Sequence, residues 1–298
     1  MSVYDDAILI TYPSGVKVGK VYSQKPTDGT GDYTFSRSTT ATRVNASGVI
    51  VSAAIDEPRI DYTGGGCGVA LIEVQATNNV EYSQDFSNVW WNVKSNSSIN
   101  SNSITSPDGT TNADKLVEDS SSSTHYMNKT GFTLSSGVDY TYSVFVKQGG
   151  RSRFWLRTIS GVGATYFDVS NGTIPSGTGT IEDYGNGWYR CSVSGTASST
   201  TANPYIYLVD SGTSNNYQGD GVSGVYLYGF QVEVGIIASS YIPTNGTTVT
   251  RTADIGQVTT PTGVTSITET VSGVDTVITT IPTTYSLPIG RVETILME

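Results

Sequence analysis

Cysteine, histidine and positive charge are scarce in this chain, and each scarcity closes off a class of function. Two cysteines in 298 residues, Cys67 and Cys191, are far from the density of a disulfide scaffold, and neither stands in a C-x-x-C pair. Both are expected to be unpaired small residues, with a single bridge between them as the alternative. One histidine, His125, sits in the serine-rich run SSSSTHYMNKT without a G-x-S-x-G elbow, which points to a packing or surface role and away from a catalytic triad. One histidine and two scattered cysteines also fall short of the usual zinc spacings. With 16 Lys and Arg against 26 Asp and Glu the net charge is −10, and no basic cluster relieves it, so nucleic acid and anionic membranes are repelled. No apolar run approaches the length that spans a bilayer, and Asp5 and Asp6 stand where a signal peptide carries Lys or Arg. Synthesis in a cytoplasm and release by lysis, without membrane insertion, is the expectation.

What is plentiful points to strands. Only 14% of the residues are charged, while Gly, Ser, Thr, Asn and Tyr abound, which favours short strands and turns over helices. Ala7 to Tyr12 and Val16 to Tyr22 flank a turn at Pro13, Ser14 and Gly15 and read as a hairpin. From Tyr140 to Lys147 apolar Tyr140, Tyr142, Val144 and Val146 share one strand face, opposite Thr141, Ser143, Phe145 and Lys147. Further strands read Arg153 to Thr158, Thr165 to Val169, Trp188 to Val193, Tyr205 to Val209 and Val225 to Val234, with GNG, DSG and GDG turns between them. That spacing is that of a sandwich of two antiparallel sheets.

Four ordered phrases run through the middle of the chain. The first holds Leu71, Glu73, Thr77, Asn78, Tyr82, Ser83, Asp85, Phe86 and Trp90; the second holds Pro107, Asp108, Gly109, Ala113, Asp114, Lys115 and Leu116. The third is Asp183, Gly185 to Gly187, Trp188, Tyr189 and Arg190, and the fourth is Gly229, Gln231, Glu233 and Gly235 followed by Ser240 to Thr244. Together they resemble the carbohydrate-binding-module-like domain of bacteriophage head-spike and tail-fibre proteins. Asp32 to Arg37 and Ala41 to Gly48 are similar to the segment that precedes that domain. The resemblance implies an all-β chain built on a jelly-roll β-sandwich, with an N-terminal β-hairpin segment and a C-terminal β-hairpin tail. It divides the chain into an attachment segment at 1–66, a jelly-roll domain at 67–251 and a tail at 252–298.

The tail is a separate composition, almost purely Thr, Val, Ile, Gly and Pro. Val264 to Val271 and Thr276 to Ile281 flank a turn at Ser272 to Asp275, giving a hairpin with one apolar face. Since an isolated hairpin is marginal at best, that face needs a partner, either the sandwich or copies of itself about a three-fold axis. Similar endings of phage fibre chains favour packing between subunits, hence a homotrimer.

Candidate site residues are few. The Gly-rich runs at Gly64 to Gly66 and Gly161 to Gly163 lack the phosphate-cradling P-loop pattern and read as loops. Carboxylate pairs for glycoside hydrolysis, such as Glu73 with Glu233 or Asp183 with Asp220, are not ranked by sequence, and a structural role is the default. Glu233 shares a packed strand face with Val225, Leu227 and Gln231, as a buried hydrogen-bonding carboxylate or a ligand to a structural cation. Modules related to the resembled domain hold calcium, for which Asp85, Asp114 and Glu233 are the candidate ligands; no other cofactor is expected. Trp90 and Trp188 lie in the phrases and are expected to pack. Trp155, on the alternate face from Phe154, and Tyr205 with Tyr207, which share a face, are the candidates for an exposed sugar-stacking platform.

The function implied is that of a non-enzymatic structural protein of the virion, a homotrimeric spike or fibre attached to the head, meeting capsid or tail components and aiding adsorption to host glycans. The alternative is a tail fibre or receptor-binding protein recognising host glycans. A polysaccharide-degrading enzyme ranks last, because such chains carry a long repetitive β-helix and no repeat is visible here.

Overall fold

The structure, a computed structural model, describes residues 3–13 and 15–298. Apart from a four-residue helix, Val3–Asp6, every regular element among the described residues is a strand or bridge, as the composition implies. The chain divides into two compact units: Thr77–Val249, and Met1–Ala76 together with Thr250–Glu298.

The first is the jelly-roll sandwich. One antiparallel sheet runs Val93–Ser95, Tyr126–Asn128, Pro204–Val209, Arg153–Thr158, Ala164–Asp168, Thr173–Ser176; the other runs Ser97–Ile104, Ala113–Glu118, Gly224–Val234, Asp139–Gly149, Trp188–Thr196, Thr180–Asp183. The chain passes repeatedly from one sheet to the other, so sequential strands are often not neighbours. Alternation gives each sheet one apolar face. Phe154, Leu156, Phe167, Ile206 and Leu208 meet Leu116, Tyr142, Val144, Val146, Cys191, Val193 and Leu227 in a shared core.

The Asp139–Gly149 strand departs from simple alternation. Its second face is buried too, because Tyr184, Tyr228 and Tyr241 pack on Phe145. Its register with Gly224–Val234 shifts between Ser143 and Phe145. Gly229 occupies that bulge at φ 62°, where a Cβ would lie 2.9 Å from the Phe145 ring. Only glycine fits there.

In the second unit the N- and C-terminal segments, separate in the sequence reading, pair with one another. The strand Gly290–Met297 lies between Ile267–Val271 and Val69–Ile72, and Leu9–Thr11 also pairs with it. Ile255–Thr259 joins Tyr33–Ser36 to Thr284–Ser286. Leu9, Tyr33, Ile72, Ile267, Tyr285, Val292 and Ile295 form the core.

Two hairpin details differ from the sequence reading. An N-terminal hairpin is present, but its arms are Val16–Lys17 and Lys20–Val21, while the first apolar run pairs with Ile295 to Met297. The turn expected at Pro13 to Gly15 contains Ser14, which lies outside the described residues. In the C-terminal hairpin the arms are Ile267–Val271 and Val274–Ile278, joined by the two-residue turn Ser272-Gly273 at φ 51° and 76°. Positive φ at both positions is what a tight hairpin turn needs. Its partner is in the same chain: Ile267 is fully buried against the core, and no second subunit is required to cover it. Val274 and Val277 on the outer arm remain 63% and 61% exposed.

A buried charge cluster ties this unit together across the sequence. Arg37 Nη1 donates to Asp254 Oδ1 at 3.0 Å, Arg59 Nη1 donates to Glu73 Oε2 at 2.7 Å and Arg59 Nη2 donates to Asp254 Oδ2. Arg251 Nη2 lies 3.4 Å from Glu73 Oε2. All three arginines and Asp254 are buried. Removing one member of a buried pair leaves its partner's charge without compensation in low dielectric. Asp254→Ala is therefore expected to destabilise its unit by about 3–5 kcal/mol, read by calorimetry as a lowered endotherm for that unit.

Candidate aromatic binding face

The outer face of the first sheet follows from its inner one. Because Phe154, Leu156, Ile206, Leu208 and Met127 face the core, their neighbours Trp155, Tyr205, Tyr207 and Tyr126 face outward. Register then aligns them: Tyr126 stands opposite Tyr207, Tyr207 opposite Trp155 and Trp155 opposite Tyr166. Four aromatic rings thus form one row over four adjacent strands, about 15 Å long at the usual strand spacing. Trp155 stacks on Tyr166 at 5.1 Å and an interplanar angle of 4°, and lies 5.2 Å from Tyr207. Tyr126 lies 4.7 Å from Tyr207 and 5.7 Å from Tyr205, which itself stacks on Tyr207 at 5.5 Å.

A second row runs beside the first. Asn128 stands opposite Tyr205 and Tyr205 opposite Arg157, whose guanidinium lies over the Trp155 ring, 5.0 Å from its centroid. Tyr126, Tyr205, Trp155 and Tyr166 are half-buried, whereas Tyr207 in the middle is covered to 8% exposure by its neighbours. Burial pushes the Tyr207 hydroxyl above its ordinary value and Arg157 opposes the rise. Trp155 Nε1 and Asn128 Oδ1 are buried atoms that meet no hydrogen-bond partner. Buried polar atoms are rarely left so. The half-buried rings of Tyr126, Trp155, Tyr166 and Tyr205 suit a ligand with a flat apolar face.

The structure therefore brings Trp155, Tyr205 and Tyr207 together. Tyr126, Tyr166, Asn128 and Arg157 were not among the sequence candidates. Tyr126 and Asn128 flank the core residue Met127, an alternation visible in the sequence, but only strand pairing shows which face they join.

Asp85, Asp114 and Glu233 do not converge as a calcium set. Among the described residues no group of three or more His, Cys, Asp or Glu is placed to hold a metal ion. Exposed Asp85 accepts from Ser87 N and Asn88 N, and Asp114 accepts from Phe86 N and Asn102 N, both at 2.9 Å. Glu233 accepts from Gln231 Nε2 at 2.6 Å and Ser239 Oγ at 2.5 Å. Its carboxyl is pushed up by burial, against the pull of Ser239 and Arg190. Each carboxylate is thus taken up by local donors, which is why the set does not form.

The other chemical candidates have local roles as well. Asp183 accepts from Gly185 N, Asp220 accepts from Val222 N and Ser223 N, and Glu73 pairs with Arg59 and Arg251. His125 is buried, with Nδ1 2.7 Å from Asn96 O and Nε2 3.3 Å from Tyr217 O. Trp188 is buried and Trp90 packs partly against the core. Both cysteines are free, Cys67 exposed and Cys191 buried, where desolvation pushes its thiol well up.

No family model and no curated protein matches the chain. Among solved structures it is similar to the CBM22-1–GH10 modules of the Clostridium thermocellum N-terminal endo-1,4-beta-D-xylanase 10B complexed with xylohexaose, at 19% identity and a TM-score of 0.31, over 54% of this chain and 28% of that one. It is similar to the C-terminal CBM6 of LamC from Zobellia galactanivorans at 10% identity and 0.30, over 54% and 99%. A third similarity is to the enzymatically active domain of bacteriophage CBA120 tailspike protein 4, at 11% and 0.31, over 53% and 21%. The chain thus spans about a quarter of the first and about a fifth of the third. Identities and scores of this size assign it neither a ligand nor an assembly.

One edge of the aromatic face depends on an ion pair. Arg153 Nε donates to Asp168 Oδ2 at 2.7 Å, the two residues standing opposite one another in the register. Burial pushes the Asp168 carboxyl up, but hydrogen bonds from Ser170 and Arg153 outweigh it and hold the group below the usual range. A folded value below the unfolded one makes a contribution that is present above the ordinary aspartate value and lost as pH falls through the depressed one. Asp168→Asn is expected to lower the melting temperature at neutral pH and to narrow its gap to the parent protein in acid, checked by melts across that range.

Proposed function

We propose that this chain is a structural subunit of a bacteriophage particle, a head-attached spike or fibre, whose sandwich unit contacts host-surface glycans through the aromatic face. The row Tyr126, Tyr207, Trp155, Tyr166 carries the glycan part of the reading. The half-buried rings of Tyr126, Trp155 and Tyr166, held in register over the covered Tyr207, offer stacking positions to a short oligosaccharide. Nucleic-acid bases also stack on such rings, but a chain of net charge −10 opposes a polyphosphate backbone. The particle part rests on the four phrases between Leu71 and Thr244. Head attachment is preferred over tail attachment because those phrases most resemble head-spike domains. No catalytic role is assigned.

Trimer formation has its own support in the exposed apolar side chains of the outer hairpin arm, Val274 and Val277. Light scattering of the purified chain is expected to give three times the chain mass, and a monomer at micromolar concentration would remove the trimer from the reading. On a glycan array of host-surface oligosaccharides, Trp155→Ala is expected to cost about 2 kcal/mol, roughly thirtyfold in affinity, with the far-UV circular dichroism of the folded chain retained. Equal binding by parent and variant would refute the aromatic face as the contact.

A further inference from the structure

The second sheet carries a different rung. Lys115 stands opposite Tyr226 and Tyr226 opposite Lys147, so three adjacent strands present lysine, tyrosine and lysine on one face. All three are half-buried, and they line a groove of about 620 Å³ with Tyr189, Gly149 and Gly187. That volume is in the range of small-ligand sites. The Lys115 ammonium lies 5.5 Å from the Tyr226 ring centroid and donates to Val222 O at 2.8 Å; Lys147 Nζ donates to Asn186 O at 2.6 Å. An ammonium has three donors, so each keeps capacity for a further acceptor.

Neither lysine forms an ion pair among the described residues, and no acidic residue lines the groove. In a chain with ten more acids than bases, two unneutralised ammonium groups in one groove stand out. The backbone is shaped around them. A Cβ at Gly149 would lie 3.0 Å from the Tyr226 ring and 3.1 Å from Lys115 Cε, and one at Gly187 would meet Lys147 Cε at 3.5 Å. Glycine at 149 lets the main chain close on the tyrosine and the lysine stem without displacing either.

We propose that this groove is a second binding site, separate from the aromatic face, for an anionic saccharide: a sugar carboxylate held between Lys115 and Lys147, with its ring against Tyr226. The overall negative charge does not forbid this, because at physiological salt exposed charges beyond about 8 Å are largely screened, and the charged side chains that line the groove are the two lysines. On the aromatic face Arg157 lies over the Trp155 ring and Arg153 is paired with Asp168.

Titration of the full chain with trigalacturonate, by calorimetry and by NMR, tests the site. Binding is expected at low salt, weaker at high salt, and absent for the methyl-esterified trimer. Lys115→Gln and Lys147→Gln are each expected to weaken it about tenfold with circular dichroism and melting unchanged, and Lys147→Arg is expected to restore most of it. Trp155→Ala is expected to leave trigalacturonate binding intact, which separates this site from the aromatic face. The proposal is overturned by undetectable binding to the parent chain, by equal affinity in the double Lys→Gln variant, by equal affinity for the ester, or by loss on Trp155→Ala. Inorganic phosphate binding as tightly as the trimer would overturn the saccharide assignment.

Discussion

Burial of one face of the Arg153–Thr158 strand is the constraint on which the aromatic face depends. Phe154 and Leu156 are fully buried, and burying such side chains contributes roughly 1.5–3 kcal/mol each. Because the side-chain period of a strand is two, a slip of one residue would turn both outward and drive Trp155 into the core. The same argument holds for Pro204–Val209, where Ile206 and Leu208 face inward and leave Tyr205 and Tyr207 outside. The platform is therefore not held by its own contacts alone. Its register is fixed by the core beneath it, the kind of support that a rigid recognition surface needs.

The unit formed by the two chain ends relies on a different constraint. Its strands are short, several of two or three residues, and Arg37, Arg59 and Arg251 are buried within it. A buried guanidinium is tolerated only where carboxylates and carbonyls meet it. Asp254 meets two of these arginines through its two oxygens, and Arg37 donates further to the carbonyls of Thr39 and Glu57. Glu73 and Asp254 also join directly, the Glu73 N–H donating to Asp254 Oδ2 at 2.9 Å. Separating these partners would leave charges buried without compensation. The cluster thereby ties together residues near 37, 59, 73 and 254, which are distant in the sequence.

Much of the sandwich was legible in the sequence because period two and turn residues are local signals. Arg153–Thr158 was read to the residue, and the strands around Val193, Val209 and Val225 within a few residues of their ends. The platform residues Trp155, Tyr205 and Tyr207 followed from the same alternation. What was not legible depends on pairing between distant segments. Nothing near Leu9 announces that its strand partner is Met297, and nothing near Tyr126 says that it stands beside Tyr207. The calcium set failed for a related reason. Three carboxylates in conserved-looking phrases invite a shared ligand, but Asp114 serves Phe86 and Asn102 while Glu233 serves Gln231 and Ser239.

The phrases themselves prove to be instructions for folding. Asn78 donates to Phe230 O and Ile242 O and accepts from Val80 N and Val232 N, tying the first phrase to the fourth within the sandwich. Ser83 bonds Tyr241 at 2.7 Å, Asp108 caps Thr110 and receives the Tyr228 hydroxyl, and Gly229 makes room for Phe145. None of these side chains belongs to the aromatic row. Trp155, Tyr166, Tyr205 and Tyr207 all lie between the third phrase and the second, or between the third and the fourth, on strands whose outward positions the fold leaves unconstrained. The second groove draws Lys115 and Tyr189 from the phrases but Lys147 and Tyr226 from outside them. In this chain the phrases thus serve mainly to hold the sandwich together. Recognition by such a chain has to be read from the faces, because a signature made of buried hydrogen bonds carries no statement about what is bound.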